Sequence, residues 1–344
     1  MDTVKNALVY AGIAVLTVAA LVLLWYAFDV LLLAFIGILA AILLRAPADW
    51  LAGHTRLSPN WALAIVCVVV FVGLGVLLTI FGRTVAVQSL ELVDRLPQII
   101  ESAKDSLRST EAGEKAMTFA EDSGALASGQ ENLLGKGLGM LGATFGVIAH
   151  AAIVIFFALF LAAQPQLYLR GALHLVPKAQ RPRAREILHE IGVVLRRWLV
   201  AQAFLALVVG SLTGLGLWLI GAPFALPLAL LAGLMEFIPY IGPFISAVPA
   251  ILIAFAEGPQ MALWVGGLYL AVQLLESYVM APLVQQRAVE LAPVLVLFSQ
   301  VLMGVIAGPL GVAVATPLAA VVLVAVKMLY VVDGLGDRQV KDGA

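Results

Sequence analysis

Glu236 and Glu276 are carboxylic acids set in long apolar runs. An ionised side chain at the centre of a bilayer costs roughly 3 kcal/mol on insertion scales, so such groups face a cavity, bind a cation or carry a proton. No basic residue lies between Arg197 and Arg287, so neither glutamate has a cationic partner close in sequence. A desolvated carboxyl group holds its proton more tightly, which suits a proton carrier. The plainer alternative is that each carboxyl hydrogen-bonds to amides freed by broken backbone. Glu236 opens the stretch Glu236-Phe237-Ile238-Pro239-Tyr240-Ile241-Gly242-Pro243, whose prolines and glycine break any continuous helix. Broken backbone at membrane depth is tolerated only where protein or a water-filled cavity covers it. Glu236, Pro239, Gly242 and Pro243 therefore read as the floor of a substrate or ion site. Glu276 belongs to a polar stripe, Tyr269, Gln273, Glu276 and Met280, at helical spacing. Gln202 shares a small, weakly polar face with Ala206, Gly210 and Thr213, suited to tight packing.

The elements that must position these groups are short and broken. Phe224–Ile238 is 15 residues, about 22 Å as a helix against a hydrocarbon core of about 30 Å. Phe244–Ala256 is again short, and the break between them at Gly242-Pro243 makes the pair a re-entrant hairpin. Met261–Ala281 is a full span. The pattern then recurs as Leu291–Ile306, a break at Gly308-Pro309-Leu310-Gly311, and Val312–Tyr330 with Pro317 inside it. Gly308, Pro309, Gly311 and Pro317 are thus the second set of break residues, matched to the first by a Gly-Pro pair followed by another proline, Pro249 or Pro317.

Of the 344 residues 62% are hydrophobic and 12% charged, and the mean hydropathy is +1.05. Soluble domains carry about 25% charged residues. The fold class is all-α, a polytopic transmembrane helical bundle with two broken segments in its C-terminal half and the lipid bilayer as its solvent. A net charge of −1 with no basic domain argues against a nucleic-acid partner. The single cysteine, Cys67, cannot form an intrachain disulfide. No His-Glu-x-x-His, Gly-x-Ser-x-Gly, Cys/His cluster or Walker sequence is present. Neither an enzyme nor a resident cofactor or metal is expected.

In chain order, residues 1–83 read as three spans: Ala7–Phe28, broken at Asp29; Val30–Leu44; and, after a loop Arg45–Asn60, Trp61–Gly82. The first is read as a retained helix rather than a signal peptide, since it is long enough to span and no persuasive small-x-small cleavage site follows it. Residues 84–140 form a polar arm outside the membrane, amphipathic through Leu92, Leu96, Ile99, Ala103 and Leu107, and kinked at Pro97. Residues 141–221 hold a span ending at Ala163, a basic loop 164–197 and the span Trp198–Gly221. His150 reads as a packed histidine, with a proton relay as the alternative. Gly137–Gly142 matches a dinucleotide pattern, but no strand precedes it; Gly135/Gly139 and Gly142/Gly146 read as close helix packing. Residues 222–332 form the transport core and 333–344 a tail. The loop lysines and arginines put the 164–197 loop, Arg287 and both termini in the cytoplasm.

The chain resembles the autoinducer-2 exporter family of predicted permeases. The resemblance is most specific at Glu236-Phe237-Ile238-Pro239-Tyr240-Ile241-Gly242-Pro243 and continues through Gln273-Leu274-Leu275-Glu276, Pro282, Pro293, Gly308-Pro309-Leu310-Gly311 and Ala315-Thr316-Pro317-Leu318. The N-terminal half matches in layout only. Pro309 departs from the family, which more often has another residue there, and makes the second break stiffer. The resemblance implies a secondary transporter of the inner membrane. Its members export the quorum-sensing molecule autoinducer-2, and some exchange sodium or lithium for protons. It also implies a homo-oligomer, a pentamer, with hairpins that move in an elevator-like way. On this reading Glu236 and the Pro239–Pro243 break bind a small polar solute and a coupling proton or sodium ion, supported by Gln202, Gln273 and Glu276. One rival is a sodium(lithium)/proton antiporter with no organic substrate. Another is a membrane scaffold that binds partners through the 84–140 arm, which has no use for a carboxylate between helix breakers.

Overall fold

The computed structural model describes residues 2–80, 87, 149–280 and 291–337, all helix, turn or coil. The expected polar arm, the Gly135–Gly146 packing motif, Pro282, Arg287 and the end of the tail lie outside the described residues. Among the described residues four helices are long and apolar enough to cross a membrane, or five when a bent pair counts as one span.

Helix α1 runs from Asp2 to His54 and α2 from Pro59 to Ile80. The break expected at Asp29 is absent, and the loop expected at Arg45–Asn60 shrinks to the residues between His54 and Pro59. Aspartate costs a helix only about 0.7 kcal/mol and removes no backbone donor, so an apolar run continues through it. Pro47 also lies inside α1. At 53 residues the helix is about 80 Å long. Helix α3 (Ala149–Ala163) is followed by α4 (Pro165–His174) at 89°. Helix α5 (Arg181–Ile220) is the spine of the described bundle. Its Leu195, Trp198 and Leu199 pack with Leu32 and Leu39 of α1 and with Met303, Val314 and Ala315. Its far end, Leu217, joins a second cluster with Leu228, Ile253 and Val265.

After α5, Gly221 takes a left-handed conformation (φ +74°) that stops the helix. The next elements are α6 (Ala225–Met235) and α7 (Ile241–Glu257), about 16 and 25 Å long and both short of a bilayer core. Helix α8 (Pro259–Leu275) continues into a π-helical turn, Glu276–Met280. Helix α9 (Pro293–Ala325) ends in a second π-helical stretch, Val326–Val332, and is interrupted at Gly308 (φ 60°, ψ −147°).

Both breaks fold the chain back on itself. A Cβ placed on Gly242 would fall on the carbonyl oxygen of Met235, seven residues earlier. One placed on Gly311 would fall on the carbonyl oxygen of Met303. Residues so far apart touch only across a hairpin, so glycine is required at both positions. The exact places differ from the sequence expectation. The first break is the non-helical stretch 236–240, and Gly242 and Pro243 lie in the first turn of α7. The missing N–H of Pro243 falls among the amides that an initial turn leaves unbonded in any case. The second break is Gly308 alone; Pro309 opens the returning arm, and Leu310, Gly311 and Pro317 are helical. Between α5 and α6 the small face predicted from Ala206 and Gly210 is real. A Cβ on Gly210 would lie 3.3 Å from the Ala229 carbonyl oxygen, and one on Gly233 would lie 3.0 Å from that of Ala206.

Candidate functional site

Four elements converge beside the first break. Val209 and Thr213 of α5, Ala232 of α6, Glu236 of the break, Pro243 and Ser246 of α7, and Tyr269, Val272, Gln273 and Glu276 of α8 and its π turn line one cavity of about 20 Å³. A cavity of that size holds on the order of one water molecule. Glu236 is only 4% exposed, while Glu276 is half-buried. Their side chains lie close enough to share a hydrogen bond. Two ionised carboxylates about 4 Å apart repel by roughly 4 kcal/mol at an effective dielectric constant of 20. The contact therefore calls for a proton or a cation between the oxygens. Gln273 Nε2 donates to Glu276 Oε2 at 3.2 Å and to Ser277 Oγ at 3.4 Å. Ser246 Oγ donates to the Pro243 carbonyl at 3.0 Å. The hydroxyls of Thr213 and Tyr269 are buried with no hydrogen-bond partner among the described residues.

The broken backbone is held by glutamines. Gln202 Nε2 of α5 donates to the Glu236 carbonyl. Gln300 Nε2, on the first arm of α9, donates to the Pro239 carbonyl at 2.8 Å. One hairpin is thereby tied both to the spine and to the other hairpin. Within the break, Ile241 N–H bonds to the Pro239 carbonyl at 2.8 Å across Tyr240, whose φ and ψ are 66° and −51°. This is the rarer, strained hand of γ-turn. Strained residues cluster where the surrounding structure over-determines them, at clamps and switch regions. The π turn beginning at Glu276 is a second local irregularity of the kind found at functional sites.

Of the residues singled out from sequence, Glu236, Pro243, Gln273 and Glu276 line the cavity. Gln202 and Pro239 hold the break beside it, and Gly242 permits the close return of the chain. Gly308, Pro309, Gly311 and Pro317 belong to the second hairpin, which reaches the first through Gln300. Met280 of the polar stripe is packed with Leu205, Val209 and Val272 rather than set at the cavity. His150 is exposed and does not line the cavity. Sequence reasoning missed Gln300 and Ser246 and took Thr213 for packing alone. The signal for Gln300 was there, as an amide in the middle of an apolar run. Among the described residues no three His, Cys, Asp or Glu side chains come together to hold a metal ion. The donor set of the cavity is two carboxyls, hydroxyls and an amide, all hard oxygens apart from the amide nitrogen.

The sequence itself has known relatives. The family model described as AI-2E family transporter matches residues 14–330. MT0215, a candidate transport protein of Mycobacterium tuberculosis (strain CDC 1551 / Oshkosh), is 30% identical over 328 residues, covering 92% of this chain and 88% of its own. YrrI of Bacillus subtilis (strain 168), also named for a transport role, is 30% identical over 174 residues, covering 51% of this chain and 49% of its own. YhhT of Escherichia coli (strain K12) is 31% identical over 135 residues, covering 39% of each. The match thus spans about half of the Bacillus relative and most of the mycobacterial one. With its helical bundle, its apolar spans and a match over nearly its whole length, the chain is a multi-pass membrane protein that belongs to the AI-2E transporter family.

Proposed function

We propose that this protein is an ion-coupled secondary transporter of the inner membrane, in which the Glu236–Glu276 pair carries the coupling proton or cation. The observation behind this reading is the contact between two carboxyls beside broken backbone, within a set of apolar helices. Such a pair holds one positive charge and releases it when the surrounding hairpins open to water. Gln202 and Gln300 transmit hairpin movement to the pair, because both grip the backbone that carries Glu236. The cargo is a small polar solute such as autoinducer-2, moved outward. A cavity of about 20 Å³ does not hold such a solute, so loading requires the two hairpins to part. Purified protein in liposomes, given a panel of solutes and an imposed pH gradient, tests this. Solute accumulation that follows the gradient supports the reading, and its absence for every solute counts against it.

A second reading is favoured by the size and chemistry of the same cavity. It fits a bare monovalent cation, and the free hydroxyls of Thr213 and Tyr269 would complete an oxygen shell with the carboxyls. On this reading the protein exchanges sodium or lithium for protons and moves no organic solute. Liposomes loaded with a pH dye separate the two: sodium-driven proton flux without any solute favours the exchanger.

For topology we propose that the basic stretch 164–197 and the C-terminal end face the cytoplasm, with residues 84–140 outside. With α1 unbroken and crossing once, the same reading puts the N-terminus on the side opposite His54, and the side of Asp2 is part of the proposal. Labelling of Ser109→Cys in a Cys67→Ser background from one side and then the other decides the placement of the arm. The homo-oligomer is part of the same proposal, and native mass measurement of the solubilised protein checks it.

A further inference from the structure

Helix α4 leaves the line of α3 at a right angle. Pro165 removes the amide that would have continued α3, and Gln164 takes a non-helical conformation (φ −133°, ψ 60°). The resulting bend is 89°. Residues 141–163 read from sequence as a span, and a right-angle turn after a span directs α4 along the plane of the membrane. At ten residues it is about 15 Å long, far too short to cross. Leu173 is buried and pins one side of α4 to the protein. Leu167, Tyr168 and Leu175 stand exposed on the other, Leu175 by 89%.

Around this apolar face lies a selected set of positive charges. Arg181 is occupied, since it donates to the Val176 and His174 carbonyls at 3.1 and 3.4 Å. Arg183 is occupied by Glu186 at 2.7 Å and Asp333 at 2.9 Å. Arg170, Lys178 and Arg185 are exposed and make no ion pair among the described residues. An in-plane helix with exposed leucines, an interfacial tyrosine and long basic side chains has the chemistry of a headgroup-level amphipathic helix. Arginine and lysine stems can lie along the apolar boundary while their charged ends reach the phosphates.

We propose that α4 lies in the headgroup layer and that Arg170, Lys178 and Arg185 bind anionic phospholipid there. The occupant of this face is lipid, because α4 follows directly on the apolar helix α3 and its charges, unpaired among the described residues, complement lipid phosphate. The full-length protein in a Cys67→Ser background, spin-labelled at Leu175→Cys or at Gln180→Cys, is reconstituted into phosphatidylcholine with or without phosphatidylglycerol. The label at position 175 is expected to collide with oxygen more than with a water-soluble nickel chelate, and the label at 180 to do the reverse. Retention of phosphatidylglycerol in native mass spectra should weaken about fivefold for each of Arg170→Gln, Lys178→Gln and Arg185→Gln. None of the three makes a side-chain hydrogen bond or ion pair among the described residues, so the variants are expected to keep the wild-type melting profile. Nickel access at 175 equal to that at 180, dipolar broadening between 175 labels of two copies, or unchanged phosphatidylglycerol retention in the triple variant would each overturn the proposal.

Discussion

Tyr240→Gly should be more stable than Tyr240→Ala, the reverse of the usual order. At an ordinary position alanine is favoured over glycine by about 0.5–1 kcal/mol, because glycine has more backbone freedom to lose on folding. Tyr240 sits at φ 66° and ψ −51°, where a residue bearing a Cβ stores roughly 1–3 kcal/mol that glycine does not. The difference leaves glycine ahead by about 1 kcal/mol, a fivefold change in the ratio of folded to unfolded protein. The tyrosine side chain is 47% exposed, and whatever packing it contributes is lost equally in both variants, so the comparison isolates the backbone. Equilibrium unfolding in mixed detergent micelles measures it. Alanine as stable as glycine, or more so, would refute the claim that the break is strained. The same relaxation should slow gradient-driven transport in Tyr240→Gly, since the break then no longer has a strained state to leave.

Other substitutions probe the clamps and the cavity. Gln300→Met loses the 2.8 Å bond to the Pro239 carbonyl but also removes a buried Oε1 that has no partner among the described residues. Those opposing costs are each about 1–3 kcal/mol, so unfolding should shift by less than about 1 kcal/mol while transport falls, because the two hairpins are uncoupled. Gly242→Ala drives a Cβ into the Met235 carbonyl and should cost roughly 1–3 kcal/mol, seen as a lower thermal midpoint of the purified protein. Thr213→Val removes a buried hydroxyl without a partner and should leave stability unchanged or raised by about 1 kcal/mol. If the protein is a cation exchanger, the same variant loses sodium- and lithium-driven proton flux.

Much of the architecture was legible because membranes constrain sequence strongly. Apolar runs interrupted by glycine and proline announced both hairpins, the first also by arms too short to span. Carboxylates at Glu236 and Glu276 announced the cavity, because burying them without purpose is costly. What stayed illegible depended on local energies or long-range contact. Asp29 looked like a break, yet a single aspartate lacks the strength of proline or glycine to end an apolar helix. The first break was placed at Gly242-Pro243, but proline is tolerated in a first turn, so the irregular backbone sits earlier, around Pro239 and Tyr240. The bond between Gln300 and Pro239 joins positions 61 residues apart, and no spacing rule reaches that far. Thr213 shares its helical face with residues that do serve close packing, which concealed its place in the wall of the cavity.

Glu236 and Glu276 are proposed to hold one exchangeable positive charge between them, and infrared difference spectroscopy of the reconstituted protein reads that charge at the carboxyl groups themselves. If that charge is a proton, a carboxylic acid C=O stretch should be present when the site is loaded and bleach when an imposed gradient unloads it. Glu236→Gln and Glu276→Gln should each abolish or shift that single band, because both residues form the same pair. Displacement of the band by sodium or lithium would identify a cation as the competing occupant of the same oxygens. A signal that persists unshifted in both variants, or carboxylate bands from both residues with neither proton nor cation dependence, would contradict the account.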